Sequence, residues 1–253
     1  VTEEATAVVP AAYPVPASAG IQRSLSLLVY GESKAGKSTI AATAPYPRLM
    51  LDVEGGARFL PIRAIMWDPL RDEPPVADGT WDTCVVSVQN YDTVLRAYQW
   101  LQLGRHQFRS LIIDSVSELQ VKCIDNIAGT EQMKMQHWGE LLRHFSSLLR
   151  NIRDLTMHPT NPLEAVVLTA MARTGQDGIM RPYLQGQLGV IVTYFWDVVG
   201  ALAVEEWPNP DPMQPPSRTP GTLARSSRSP RVRTTWRSRT RSSSPLLRAT
   251  RCG

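Results

Sequence analysis

The sequence predicts an α/β domain with a mainly parallel central sheet flanked by helices, and three observations carry that expectation. Short apolar runs of strand length alternate along the chain with segments of helical period, the pattern that builds βαβ units. The first such run leads straight into a glycine-bracketed loop followed by helix formers, in "SLLVYGESKAGKSTIAATA". At 253 residues, 43% of them hydrophobic, the chain carries enough apolar side chain for one substantial core.

Strand-like runs fall at residues 25–30, 48–53, 83–88, 110–114, 165–170 and 197–204. They are short, apolar and bounded by polar or turn-forming residues, as strands buried on both faces are. Helices are expected at about 37–44, at about 90–103, from just after Asp114, and at about 137–155. In the last of these, Leu141, Leu142, Phe145, Leu148, Leu149 and Ile152 recur at three- and four-residue steps, which marks a core-facing stripe. The order implies three parts: a leader over 1–20, acidic and broken by prolines; a folded core over 21–206; and a Pro-rich linker with an Arg/Ser-rich tail over 207–253.

The glycine-bracketed loop has a specific chemistry. Gly31, Glu32, Ser33, Lys34, Ala35, Gly36, Lys37 and Ser38 follow the spacing G-x-x-x-x-G-K-[ST], with Thr39 next in the helix. Backbone N–H groups of such a loop turn inward around a polyphosphate, the following helix adds its unpaired donors, and Lys37 adds a mobile cation. The hydroxyl of Ser38 is placed to hold Mg²⁺. Residues 31–39 are therefore the candidate nucleotide site, with ATP and Mg²⁺ as the expected cofactors. A metal partner is found in "RSLIIDSVSEL", where a buried run ends in Asp114. In "RLMLDVEGGARFL" the strand after the loop helix ends in Asp52-Val53-Glu54, and a carboxylate there is placed to polarise the attacking water.

With these pieces together, the chain resembles the RecA-type ATPase core. RecA-like proteins carry a strand ending in Asp-Ala-Glu, whose glutamate is the catalytic base, and a later strand ending in an Asp-Ser pair that assists magnesium. Here Asp52-Val53-Glu54 and Asp114-Ser115 match, within a resemblance that runs over residues 24–205. It implies catalytic roles for Glu54, Lys37 and Asp114, and Ser38 and Asp114 at the metal. Its nearest flavour is the compact RecA-like ATPase of bacteriophages, a group that includes single-strand annealing and recombination proteins; "RPYLQGQLGVIVTYFWDVVGAL" fits that group. The resemblance also implies a homo-oligomer with ATP at the subunit interface and single-stranded DNA as partner. By analogy the loops at 126–136 and 172–187 face DNA, making Lys134, Arg173 and Arg181 candidate DNA or trans-subunit contacts, and Met133, Met135 or Met180 candidate base-packing residues. One departure stands out: Ala170-Met171 replaces the polar sensor of RecA, so γ-phosphate sensing falls to Thr169, Arg173, Gln176 or another residue, or is weak.

Charge divides unevenly along the chain. All 23 acidic residues lie at or before Asp211, and residues 1–211 carry a net −6, whereas the ten basic residues beyond are all arginine. A segment of that composition cannot bury enough surface to offset its ordering entropy, so the tail is expected to be disordered. It is either a basic arm for nucleic-acid phosphates or the product of a shifted reading frame. No apolar stretch of membrane-spanning length occurs in the sequence. Cys84, Cys123 and Cys252 lack metal-ligand spacing, which fits a reducing cytoplasm without a disulfide framework. The competing function classes are another P-loop enzyme, such as a nucleotide kinase or helicase-type motor, and a non-catalytic nucleotide switch.

Overall fold

The computed structural model describes residues 24–129 and 131–204, with the backbone alone at 205–207, 217–219 and 223–225. The leader and most of the Arg-rich tail lie outside the described residues. Its elements run β1 (Leu25–Gly31), α1 (Lys37–Ala41), β2 (Arg48–Asp52), β3 (Ala64–Met66), β4 (Thr83–Ser87), α2 (Tyr91–Gln102), β5 (Ser110–Asp114) and α3 (Val116–Ala128). They continue with α4 (Met135–Asp154), β6 (Ala165–Thr174), β7 (Met180–Pro182), α5 (Leu188–Ile191), β8 (Val198–Leu202), β9 (Glu205–Trp207), β10 (Ser217–Thr219) and β11 (Leu223–Arg225).

The main sheet has the order β11-β8-β1-β6-β5-β2-β4-β3, with β7 paired to β6. Every pairing from β8 through to β3 is parallel, and only β7 and β11 run antiparallel to their neighbours. The expected mainly parallel α/β architecture is the one observed. Parallel strands buried on both faces read as continuous apolar runs, and every residue of β2 and β5 is buried.

The two faces of the sheet are covered unequally. On one, Leu28, Leu49, Leu51, Leu111, Ile113 and Leu168 meet α2, α3 and α4 through residues such as Val94, Leu119, Phe145 and Ile152. On the other, Met50, Val85, Ile112 and Val167 meet the small side chains Ala41 and Ala44 around α1 and Ala57 in the turn after β2, with Leu27, Leu60 and Ile62 partly buried against them. The α4 stripe is core as expected, except that Leu142 is only half-buried.

The structure differs from the sequence reading at three places. Helix α1 stops at Ala41, not near 44, because Pro45 and Pro47 forbid continuation and the Arg48 guanidinium takes the carbonyls of Ala42 and Ala44. Strands β3 and β7 and helix α5 were not expected; at three or four residues each they are too short for a periodic signal. Two backbone strands fall inside the segment whose composition argued for disorder: β10 pairs β9, and β11 extends the main sheet by pairing β8.

Arg48 is the buried polar centre of the thin face. It also donates to Thr83 Oγ1 at 2.7 Å and pairs with Asp82 at 3.1 Å. Replacing it leaves carbonyls and a carboxylate without their donor, so Arg48→Met is expected to cost about 3 kcal/mol in urea unfolding. Parent stability in that variant would contradict the clamp.

Candidate nucleotide site

The carboxyl ends of β1, β2, β5 and β6 meet at one edge of the sheet, where the register sets Gly31 beside Met171 and Asp52 beside Asp114. A crevice outside such strand ends is where open α/β sheets bind ligands. Here it is a cavity of about 420 Å³ whose walls include Lys37, Ser38, Glu54 and Asp114. Every loop residue from Gly31 to Thr39 except Ala35 lines it, and Ala35 instead packs into the core with Val29 and Leu202.

The loop's glycines answer to different constraints. Strand β8 passes so close to Gly31 that a Cβ there would lie 2.6 Å from the Leu202 carbonyl oxygen. Gly36, at φ 92°, holds a left-handed turn into α1 that an L side chain would strain. Lys34 also sits left-handed, at φ 63°, so the loop's backbone curls around the cavity. The Lys37 ammonium donates to the carbonyls of Gly31, at 3.1 Å, and Glu32, at 2.8 Å, which holds the cation at the cavity wall.

The two carboxylates after β2 have separate fates. Asp52 accepts from the backbone N–H groups of Gly56 and Ala57, at 2.9 and 3.0 Å, and so closes its own turn. Glu54 is left to face the cavity, where the Ser115 hydroxyl donates to it. Burial pushes the Glu54 carboxyl above the usual range; the Ser115 hydrogen bond opposes the rise, the nearby Asp114 charge adds to it, and Lys37 opposes it. Asp114 is buried, and one of its oxygens accepts from the Thr169 hydroxyl of β6. That strand lies between β1 and β5, an arrangement only the topology reveals.

Ser38 and Asp114 line one cavity, a hydroxyl and a carboxylate of the kind that suit Mg²⁺ otherwise held by phosphates and water. Of the γ-phosphate candidates, Thr169 is spent on Asp114, and the β6 residues lining the cavity are Met171 and Ala172. Arg173 follows them on the exposed β6–β7 hairpin, where Gln176 is also exposed.

The remaining candidates are dispersed. Arg181 grips Asp177 at 3.0 and 2.6 Å and holds that carboxyl down at about 2. Lys134 pairs with Glu131 at 2.9 Å at the start of α4. Met133 and Met180 pack against the core, whereas Met135 is 89% exposed. Sequence reasoning missed the Ser115 to Glu54 and Thr169 to Asp114 bonds, since each joins residues more than fifty positions apart.

If Lys37 contacts the terminal phosphates, Lys37→Ala removes a charge-assisted bond worth about 1.5 to 3 kcal/mol, or roughly ten- to a hundredfold in ATP affinity. Titration calorimetry with ATP and Mg²⁺ measures it, and unchanged affinity would remove the loop from the site.

No curated protein matches the chain. Among solved structures, an ATPase of the type III secretion system of pathogenic bacteria is similar at 15% identity and a TM-score of 0.43, over 71% of this chain and 52% of that one. This chain therefore spans about half the length of that ATPase. The AAA domain family matches residues 23–238, which takes in the loop, both carboxylate strands and the β6–β7 hairpin, and runs into the Arg-rich segment. With most of its length matched, the chain belongs to this AAA domain family, AAA_24, a family of P-loop ATPases.

Proposed function

We propose that the chain is an ATP-hydrolysing protein of RecA type that acts on single-stranded DNA in phage recombination, replication or repair, by annealing or strand exchange. The observation that carries the enzymatic half is the convergence of Lys37, Ser38, Glu54 and Asp114 on one cavity. Lys37 and the loop N–H groups hold the phosphates, and Ser38 with Asp114 holds Mg²⁺, which neutralises phosphate charge when bound. Thr169 orients the Asp114 carboxylate. Ser115 fixes one oxygen of Glu54, leaving the other to take a proton from water. The phage and single-strand reading rests on the sequence resemblance, supported by the net −6 of residues 1–211, which disfavours holding duplex DNA by charge alone. On this reading the working form is a homo-oligomer in the host cytoplasm.

One observation favours a second reading, a nucleotide switch that hydrolyses weakly: the side chains that β6 presents to the cavity are Met171 and Ala172, neither of which can hydrogen-bond a γ-phosphate. Turnover separates the two. ATP hydrolysis measured with and without oligothymidylate should rise with the single strand; phosphoryl transfer to a small acceptor, or turnover indifferent to DNA, would defeat the DNA-dependent ATPase.

The base has its own test. Glu54→Gln should leave ATP binding nearly intact and slow hydrolysis by roughly 10² to 10⁴. A base works ionised, so hydrolysis is lost as pH falls through the Glu54 pKa, which burial places above the ordinary carboxylate value. Ser115→Ala removes a contact that lowers that pKa, so its acid limb should lie at higher pH than the parent's. Superimposable pH–rate profiles for the two would rule out the Ser115 role.

A further inference from the structure

Among the described residues a single side chain other than glycine's sits on a left-handed backbone, and it is a lysine of the phosphate loop. Lys34 lies at φ 63°, whereas every other positive φ belongs to a glycine. An L side chain is strained there, and the residues that take up this conformation most readily are glycine, asparagine and aspartate. Lysine is a poor choice for the turn itself. Nor does packing account for it: Lys34 is exposed, and its ammonium is in no hydrogen bond or ion pair among the described residues. The loop thus carries a strained residue whose charge the fold does not use.

The nucleotide cavity has a use for that charge. Its lining holds the carboxylates of Glu32, Glu54 and Asp114 against only two cations, Lys34 and Lys37. Lys37 has spent two of its three N–H donors on the carbonyls of Gly31 and Glu32. Strand β6 contributes Met171 and Ala172, whose side chains donate nothing. On the hairpin beyond, Arg181 is committed to Asp177. Lys34 is therefore the one cation of the lining with all its donors unspent, and it rides on a flexible four-carbon stem able to follow a phosphate. The third phosphate of a nucleotide adds negative charge, which is what a second cation can detect.

We propose that Lys34 is the residue that distinguishes ATP from ADP, a cation that meets the third phosphate from the loop itself and takes the place of the polar side chain that β6 lacks. The assignment rests on the nucleotide reading of the cavity and is independent of the DNA reading. It divides the work of the two lysines. Lys37, pinned to the wall by two carbonyls, holds phosphates in either nucleotide, and Lys34, unpinned and exposed, adds its charge when the third is present. The left-handed backbone at 34 is then a cost of folding that is offset on binding, as strain at a ligand clamp is.

The test is titration calorimetry of the full chain with ATP and with ADP, each with Mg²⁺, on the parent and on Lys34→Gly, Lys34→Asn and Lys34→Arg. Glycine and asparagine suit the left-handed backbone and remove the charge, so each should weaken ATP binding by roughly tenfold, the worth of one charge-assisted hydrogen bond, and ADP binding far less. Lys34→Arg should keep the preference for ATP. Without nucleotide, Lys34→Gly should melt no lower than the parent, which separates lost binding from lost folding. A parent-like preference for ATP over ADP in both Lys34→Gly and Lys34→Asn would overturn the proposal. So would an equal loss for the two nucleotides, which makes Lys34 a general phosphate contact, or loss of the preference in Lys34→Arg, which assigns the effect to side-chain shape rather than charge. If the parent binds neither nucleotide, the nucleotide reading itself fails and the role of Lys34 with it.

Discussion

Asp114 depends on a threonine 55 positions away, and the rest of the nucleotide site depends on how that threonine is brought to it. Strand β6 is inserted between β1 and β5, pairing with both in parallel. A buried carboxylate without a donor is costly, and a hydroxyl at the matching level of the next strand supplies one from a side chain with little freedom to lose. Because the same strand continues to Met171 and Ala172 at the cavity and on into the β6–β7 hairpin, the insertion places the donor to Asp114, part of the cavity wall and one arm of an exposed hairpin on one strand.

Helix α3 repeats this economy. Ser115 caps it, accepting from Glu118 N–H at 3.4 Å while donating to Glu54. Ser117 and Gln120, both buried, bind the backbone at either end of the 171–185 segment. A helix whose polar side chains were spent on water would leave that segment free. Here they tie the Glu54 carboxylate and the 171–185 segment to one helix.

The sequence made the phosphate loop, the six long strands and the four main helices legible because each carries a local signal: glycines at set spacing, apolar runs, a 3.6-residue stripe. Asp52 and Glu54 could be found the same way but not told apart, since their difference lies in which one meets the N–H groups of Gly56 and Ala57. The apolar end of β6 was legible at Ala170-Met171, but the insertion of β6 between β1 and β5 left no local trace, so the partner of Thr169 could not be read in advance.

Why the phosphate loop holds its shape cannot be explained by its helix. At five residues α1 is far below the length at which a helix is stable alone, and its one buried residue, the small Ala41, covers little of Met50 and Val167. The loop is instead held from outside at both ends. At its start, Gly31 is wedged against the Leu202 carbonyl of β8, an approach that excludes any side chain. Beyond its end, Arg48 satisfies the carbonyls of Ala42 and Ala44 and ties them through Thr83 and Asp82 to β4. Strands thus supply the rigidity that helix length does not, and the N–H groups of the loop are preorganised for an anion by residues that never touch it.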